Sequence, residues 1–409
     1  MKKRENMKKI TLLLALCLFL CGCEEKTELQ QLPGEIQQEA TVEMIPEPPE
    51  PEPEPEPLVV TLAMCGDVMS HMPVTNDVKN EEYSYARILQ GAVPYVSAAD
   101  YAVANFETTM AGGPNYSGYP CFNSPDGLAY SLKEAGFDLM LTANNHSLDK
   151  GLNGIIRTLD VMDQVGLAHV GTSRTQEERD NNVYVADVGG VSVAFLGYTY
   201  GTNGIPLPQK APYAVNVFNT DYMTSLANPD WEMFRTDLEK ARALETDLIA
   251  VMIHWGVEYQ TIQNHHQDAV ADFLLENGVD LVLGGHSHVP QPAGFQTVTL
   301  EDGTQHTGFV SYSLGNFISS QNDPLTDVTA VLTMELTKNM VTGETTVTDW
   351  KYQPMLMLDR EKYPERFELL DVYRELEQEE LSDYMRNKLE KALQSCHEIL
   401  GQEHDAGME

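Results

Sequence analysis

The chain has 409 residues, enough for a large core, and carries 26 Lys and Arg against 62 Asp and Glu, a formal net charge of −36. That balance excludes nucleic-acid binding and broad adsorption to an anionic membrane, because neither polyanion would be attracted. Any anionic substrate needs a local positive device, and bound metal is the obvious one.

The first residues, MKKRENMKK followed by ITLLLALCLFL and CGC, read as a basic n-region, a short apolar h-region and a cleavage region. The apolar run is too short for a typical spanning helix and fits a signal peptide over residues 1–22. Leu20-Cys21-Gly22-Cys23 resembles a bacterial lipoprotein box, which implies diacylation of Cys23, although the middle Cys21 is less usual than a small residue there. An ordinary secretory signal or a short uncleaved anchor is the alternative. Either leaves the mature chain outside the cytoplasm, and the lipoprotein reading holds it to the membrane by a lipid anchor.

Residues 23–57 end in PEPPEPEPEPEP, where alternating Pro and Glu forbid helix and strand, favour extended polyproline II and repel one another. The segment is expected to be a stiff, solvated tether. Cys65, Cys121 and Cys396 remain beyond the signal and Cys23; without a CxxC spacing they read as small hydrophobes rather than a disulfide framework.

From Leu58 the pattern is strand, loop, helix, repeated. LVVTLAMCGD, YAVANFE and DLMLTANNH read as strands, with helices at SPDGLAYSLKEAG and GLNGIIRTLDVMDQVG. NVYVADV-GG-VSVAFLGYT reads as a hairpin around a Gly-Gly turn. The helix WEMFRTDLEKARAL leads to the strand DLIAVMIHWG, and HHQDAVADFLLENG to the strand DLVLGGHSH. GFQTVTL-EDG-TQHTGFVSYSL and DVTAVLTMEL…GETTVTDWKYQPM read as antiparallel pairs. Residues 58–360 therefore form an α/β domain with added antiparallel β, and 361–409, helical from about Tyr363, form an acidic C-terminal region.

Five of these strands end in groups that can bind metal: Asp67; Asn105 and Glu107; Asn144, Asn145 and His146; His254 with Glu258; and His286 with His288. Ligands of open α/β sheets bind beyond the carboxyl ends of the strands, so one rim would receive all five. Carboxylate, amide and imidazole without thiolate suit Mn²⁺, Zn²⁺ or Fe²⁺. More donors are present than one tetrahedral ion needs, which favours two divalent ions ~3.5–4 Å apart under a shared carboxylate.

Blander roles stay open. Asn145 could cap the following helix, His146 could be a satisfied buried imidazole, and Asp149 could cap or orient a histidine. Glu258 could orient a ligand or meet substrate, and Asn316 of SLGNF could support the site or make a turn. His71 would supply a ligand only if its loop turned back, which is not expected. His265 and His266 are expected in solvent, Trp255 in a wall or core, and the loops at residues 112–127 and near 205 at a pocket edge.

The order GD…NFE…NNHSLD…IHWGVEY…GGHSHVPQP…SLGNF, over roughly residues 58–320, resembles the CapA-type poly-γ-glutamate capsule-biosynthesis family within the calcineurin-like metallophosphoesterase superfamily. The resemblance implies a four-layer α/β/β/α sandwich with two mixed β-sheets. It implies that Asp67 and His288 hold one metal, that Asn145, His254 and His286 hold the other, and that Glu107 bridges them. His146 would contact the transferring group or protonate its leaving atom. The chain departs from the superfamily in two places: the histidine of Asp67-Val-Met-Ser-His71 falls two positions late, and Asn105-Phe106-Glu107 replaces Gly-Asp-x-x-Asp. Three functions follow as expectations: a surface-anchored metal-dependent hydrolase or transferase on anionic poly-γ-glutamate, an extracytoplasmic metallophosphoesterase, or a non-catalytic accessory subunit of a membrane synthase or export complex.

Overall fold

The computed structural model describes residues 55–361 and 365–408. The signal peptide, Cys23 and nearly all of the tether lie outside the described residues. In chain order the strands are β1 (Leu58–Val68), β2 (Tyr101–Phe106), β3 (Leu139–Leu141), β4 (Ala168–Val170), β5 (Tyr184–Val188), β6 (Val191–Thr199) and β7 (Leu248–His254). They continue as β8 (Leu281–Gly285), β9 (Ala293–Thr299), β10 (Gln305–Ser311), β11 (Asn316–Ile318), β12 (Val328–Lys338), β13 (Thr345–Asp359) and β14 (Phe367–Asp371).

Two mixed sheets result. The first runs β14-β13-β12-β1-β2-β3-β4, with β11 beside the end of β1. Its β1 to β4 are parallel, and β12, β13 and β14 add antiparallel pairs. The second runs β5-β6-β7-β8-β10-β9, parallel from β6 to β10 with antiparallel β5 and β9 at its edges.

Side chains two apart on a strand share a face, and that period assigns the layers. On β1, Val60, Leu62 and Met64 enter a core shared with Val191, Val193 and Phe195 of β6, so the sheets pack face to face. Ala63 and Cys65 point the other way, toward Leu128 and Leu132 of the helix Gly127–Ala135. Ala194, Leu196 and Tyr198 of β6 face Phe234 and Leu238 of the helix Trp231–Arg242, and Val270 and Leu274 of His265–Glu276. Helix, sheet, sheet, helix is the expected layering. Each buried Leu, Val or Phe in these layers contributes about 1.5–3 kcal/mol.

The C-terminal segment differs from expectation. FELLD, expected to open a helix, is β14, paired antiparallel with β13. Both its faces are covered, with Phe367 and Leu369 in one core and Leu370 in another. A short apolar run buried on both sides carries no period that separates strand from helix. The helices follow at Val372–Leu376 and Asp383–Leu400, and the second buries Leu389, Ala392, Cys396 and Leu400 in the core lined by β12 and β13. The three described cysteines are free; Cys65 and Cys396 are buried and Cys121 is half-buried.

Candidate metal centre

The parallel strands deliver their carboxyl ends to one place. Asp67 of β1 registers with Asn105 of β2, Asn105 with Leu141 of β3, and His254 of β7 with Gly285 of β8. The chain just beyond those ends supplies Glu107, Asn145, His286 and His288. Asp67, Glu107, Asn145, His254, His286 and His288 are each at most 3% exposed.

The six are neighbours. His288 Nδ1 lies 3.3 Å from Asp67 Oδ2, His254 Nε2 3.5 Å and His288 Nε2 3.9 Å from Glu107 Oε1, and Asn145 Oδ1 3.1 Å from His254 Nε2. The His254 and His286 ring centroids are 4.6 Å apart. Two triads, Asp67–Glu107–His254 and Glu107–His286–His288, each place their donor atoms within 4.8 Å of one another. Glu107 belongs to both. The triads group His254 with Asp67, and His286 with His288, whereas the resemblance pairs Asp67 with His288 and His254 with His286; both sets of contacts are present.

Local backbone makes this convergence possible. His286 and His288 hold positive φ of 100° and 59°, a strained conformation for non-glycine residues. It lets the His286 amide donate to Asp67 Oδ2 at 3.1 Å. Gly285 admits the approach, since a Cβ there would sit 2.6 Å from Asp67 Oδ1.

A second ring of residues orients the first. Asn105 Nδ2 donates to Asp67 Oδ1 at 2.7 Å and lies 3.0 Å from His254 Nδ1. Asn144 ties its loop to β2 by donating to Phe106 O at 2.8 Å. Asp149 Oδ2 lies 2.8 Å from His146 Nδ1 and accepts from the Phe122 amide at 2.6 Å. Glu258 is half-exposed, its Oε1 4.0 Å from His288 Nε2. Asn316 registers beside Asp67 in the sheet and donates to Thr326 O and Gln321 Oε1, bracing the loop behind the site. Asn145 does not cap the next helix, whose cap position is Lys150. Trp255 is fully buried, donating to Tyr312 O at 3.0 Å.

One expectation is overturned, for His71, and two residues, Tyr200 and Asn203, escaped the sequence reading. The loop after β1 does turn back: His71 lines a 260 Å³ pocket with His146 and His288. Burial, then His288 and His146, lower its pKa to about 4. Tyr200, directly beyond β6, sets its ring 4.6 Å from His286 and 6.2 Å from His254. Its signal was the strand-end rule itself, overlooked because tyrosine is an uncommon ligand type. Asn203 accepts from Asn145 Nδ2 at 3.2 Å and sits 3.4 Å from His146 Nε2, on the loop near 205 that was expected at a pocket edge. His266, expected in solvent, is half-buried and stacks on Phe218.

The electrostatics suit a cation site. Burial pushes the Asp67 carboxyl up, but His288, His254 and Asn105 outweigh it and hold it low. Burial pulls His288 down, yet Glu107, Asp67 and Glu258 hold it at about 9. Burial, His254 and His288 drive His286 well below its ordinary value. Glu107 Oε1 and His286 Nδ1 are buried with no hydrogen-bond partner, and His288 Nδ1 has Asp67 Oδ2 at 3.3 Å. Each unmet buried polar atom costs about 1–3 kcal/mol, and two of them converge where two triads share a carboxylate. Oxygen and imidazole donors of this kind fit one or two divalent ions.

Comparison with known proteins agrees with the expected resemblance. The model of the family described as bacterial capsule synthesis protein PGA_cap matches residues 61–321. The chain is similar to the capsule biosynthesis protein CapA of Bacillus anthracis, 28% identical over 289 residues, 68% of this chain and 64% of that one. It is also similar to the PGA biosynthesis protein CapA of Bacillus subtilis, 27% identical over 285 residues and 69% of each chain. The match thus spans about two thirds of these relatives. A solved structure titled as a novel phosphatase from Mycoplasma pneumoniae matches at 15% identity and a TM-score of 0.39, over 74% of this chain and 95% of that one, too remote to bear on function. With the family match spanning well over half of its length, the chain belongs to the bacterial capsule synthesis protein family PGA_cap.

Proposed function

We propose that this protein is a metal-dependent hydrolase or transferase of capsule biosynthesis that acts outside the cytoplasm on an anionic polymer, with poly-γ-glutamate as substrate and a lipid on Cys23 as anchor. The observation that carries the reading is Glu107, buried and shared by two triads of metal-capable side chains drawn from strands of both sheets. Family membership and the names of the two Bacillus relatives support the polymer. The lipoprotein-like segment and the Pro/Glu tether support the location. Among the described residues no helix is long and apolar enough to cross a membrane.

Asp67, Glu107, Asn145, His254, His286 and His288 would hold the metal. Divalent ions held there would supply Lewis acidity to a carbonyl or phosphoryl oxygen and would lower the pKa of a water. The chain's own part is to fix and to exchange protons. Asn105 and the His286 amide aim Asp67, and burial excludes bulk water from the six donors. Asp149 binds the Nδ1 edge of His146, and Nε2, with Asn203 Nδ2 3.4 Å away, would exchange a proton with the leaving amine of a γ-glutamyl amide. The ring is clamped edge-on by Phe122, with centroids 4.7 Å apart.

The test is the full chain with added Mn²⁺ on poly-γ-glutamate and on a chromogenic phosphodiester, beside His286→Ala. Change in polymer length or linkage that vanishes in the variant supports the proposal. Cleavage of the phosphodiester alone makes the protein a metallophosphoesterase. Inertness on both with metal bound makes it an accessory subunit of a synthase or export complex.

A further inference from the structure

Asn203 sits at the corner of a tight turn, and the turn alone would account for an asparagine there. Asn203 and Gly204 hold φ of 50° and 73°, and the Ile205 amide donates to Thr202 O at 2.9 Å. Two successive positive φ values at such a corner favour Asn-Gly. The side chain does more than the backbone asks. The turn hangs from the end of β6 in one sheet, where the Tyr200 amide donates to His254 O at 2.9 Å. From there the Asn203 side chain reaches Asn145 and His146, which follow β3 of the other sheet.

These contacts run in one direction. An ionised carboxylate only accepts hydrogen bonds, so Asp149 Oδ2, 2.8 Å from His146 Nδ1, keeps the hydrogen of the ring on Nδ1. Nε2 is then an acceptor, and the amide nitrogen of Asn203 meets it at 3.4 Å. Asn203 Oδ1 is left to accept from Asn145 Nδ2 at 3.2 Å. With its nitrogen so engaged, Asn145 turns Oδ1 to His254 Nε2 at 3.1 Å, toward the other candidate ligands. An amide oxygen has lone pairs for a cation, whereas an amide nitrogen offers only hydrogens. Reversing the Asn145 amide would set oxygen against oxygen at Asn203 and point N–H groups at the candidate ligands. His254 supports the same orientation only while Nε2 carries a hydrogen, and an imidazole that ligates presents a bare nitrogen. Asn203 does not depend on that change.

We infer that Asn203 is a positioning residue: it turns the Asn145 amide so that oxygen, and not nitrogen, faces the candidate metal ligands. The inference rests on Asn145 as a metal ligand, as proposed above, and not on the identity of the substrate. Backbone and side-chain roles are separable here. Glycine takes a positive φ without strain and Asp tolerates it. Asn203→Gly therefore removes only the side chain, and Asn203→Asp keeps an acceptor for Asn145. The residue is exposed, so neither change opens a cavity.

The experiment is the affinity of the full-length protein for Mn²⁺ and Zn²⁺, read by competition with a fluorescent chelator. Asn203→Gly should bind about tenfold more weakly than wild type, the effect of losing a group that orients a ligand. Asn203→Asp should bind as wild type does. The deciding background is Asn145→Asp, whose carboxylate presents an oxygen whichever way it turns. There Asn203→Gly should change nothing. Wild-type affinity in Asn203→Gly overturns the inference and leaves the turn as the reason for Asn203. Equal weakening in Asn203→Asp, or a loss that persists in the Asn145→Asp background, also overturns it, because Asn203 then acts other than by accepting from Asn145. Each of these results leaves the metal centre standing. A wild type with no affinity for either ion takes down that centre and this inference together.

Discussion

Asp67 on β1 and His288 in the loop after β8, brought from different sheets, meet at 3.3 Å between Oδ2 and Nδ1 with both side chains buried. This contact joins the two sheets at their carboxyl rim. A folded chain that brings a carboxylate and an imidazole together there, with orphaned donors around them, is organised for a cation.

Glu107→Gln removes the one carboxylate common to both triads. Added Mn²⁺ or Zn²⁺ should raise the melting temperature of wild type, because a ligand that binds only the folded state stabilises it. The variant should show almost no such shift. Differential scanning fluorimetry across a metal titration reads both.

Asp149→Asn leaves the six candidate ligands intact but weakens the hold on His146 Nδ1. Turnover should fall by about 10²-fold or more, the size of a lost general acid–base contribution, with bound metal unchanged. Equal loss of metal would move Asp149 from proton handling to metal support.

Tyr200 packs on His254 and His286 without donating to either in the described contacts. Tyr200→Ala should weaken metal binding about tenfold, as removal of groups that orient ligands does. Tyr200→Phe should keep it, which separates packing from a role of the hydroxyl. Competition with a fluorescent chelator gives both values.

The C-terminal strand should depend on acid. Asp77 accepts from the amides of Arg366 and Phe367 at 2.7 and 3.0 Å and from Arg87 at 2.8 Å. Burial pushes its carboxyl up, but Arg87 and these amides outweigh burial and hold it below its ordinary value. The folded state thus favours the ionised form. Its contribution is complete above the unfolded value near ~3.9 and is lost as pH falls through the lower folded value. Asp77→Asn should cost about 1–2 kcal/mol near neutral pH, and urea unfolding should show the two proteins converging in strong acid.

Much of the site was legible because parallel strands buried on both faces read as apolar runs and stop at their functional ends. VVTLAM before Asp67 and DLIAVMI before His254 mark both place and direction. What the sequence hid was decided by tertiary contact. β14 reads like the start of a helix until β13 pairs with it. His71 lies in a loop whose return depends on Ser320 and Phe122, far along the chain. The three-residue strands β4 and β11 are too short to carry any period. Tyr200 shows a different failing: its position obeyed the strand-end rule, and only its side-chain type concealed it.

Elemental analysis of the purified full-length protein, run beside Glu107→Gln, bears most directly on the shared-carboxylate centre. About two equivalents of Mn, Zn or Fe per wild-type chain, reduced to below one in the variant, is the predicted result. A wild-type chain that retains no divalent metal and gains no thermal stability from any of the three would contradict the account.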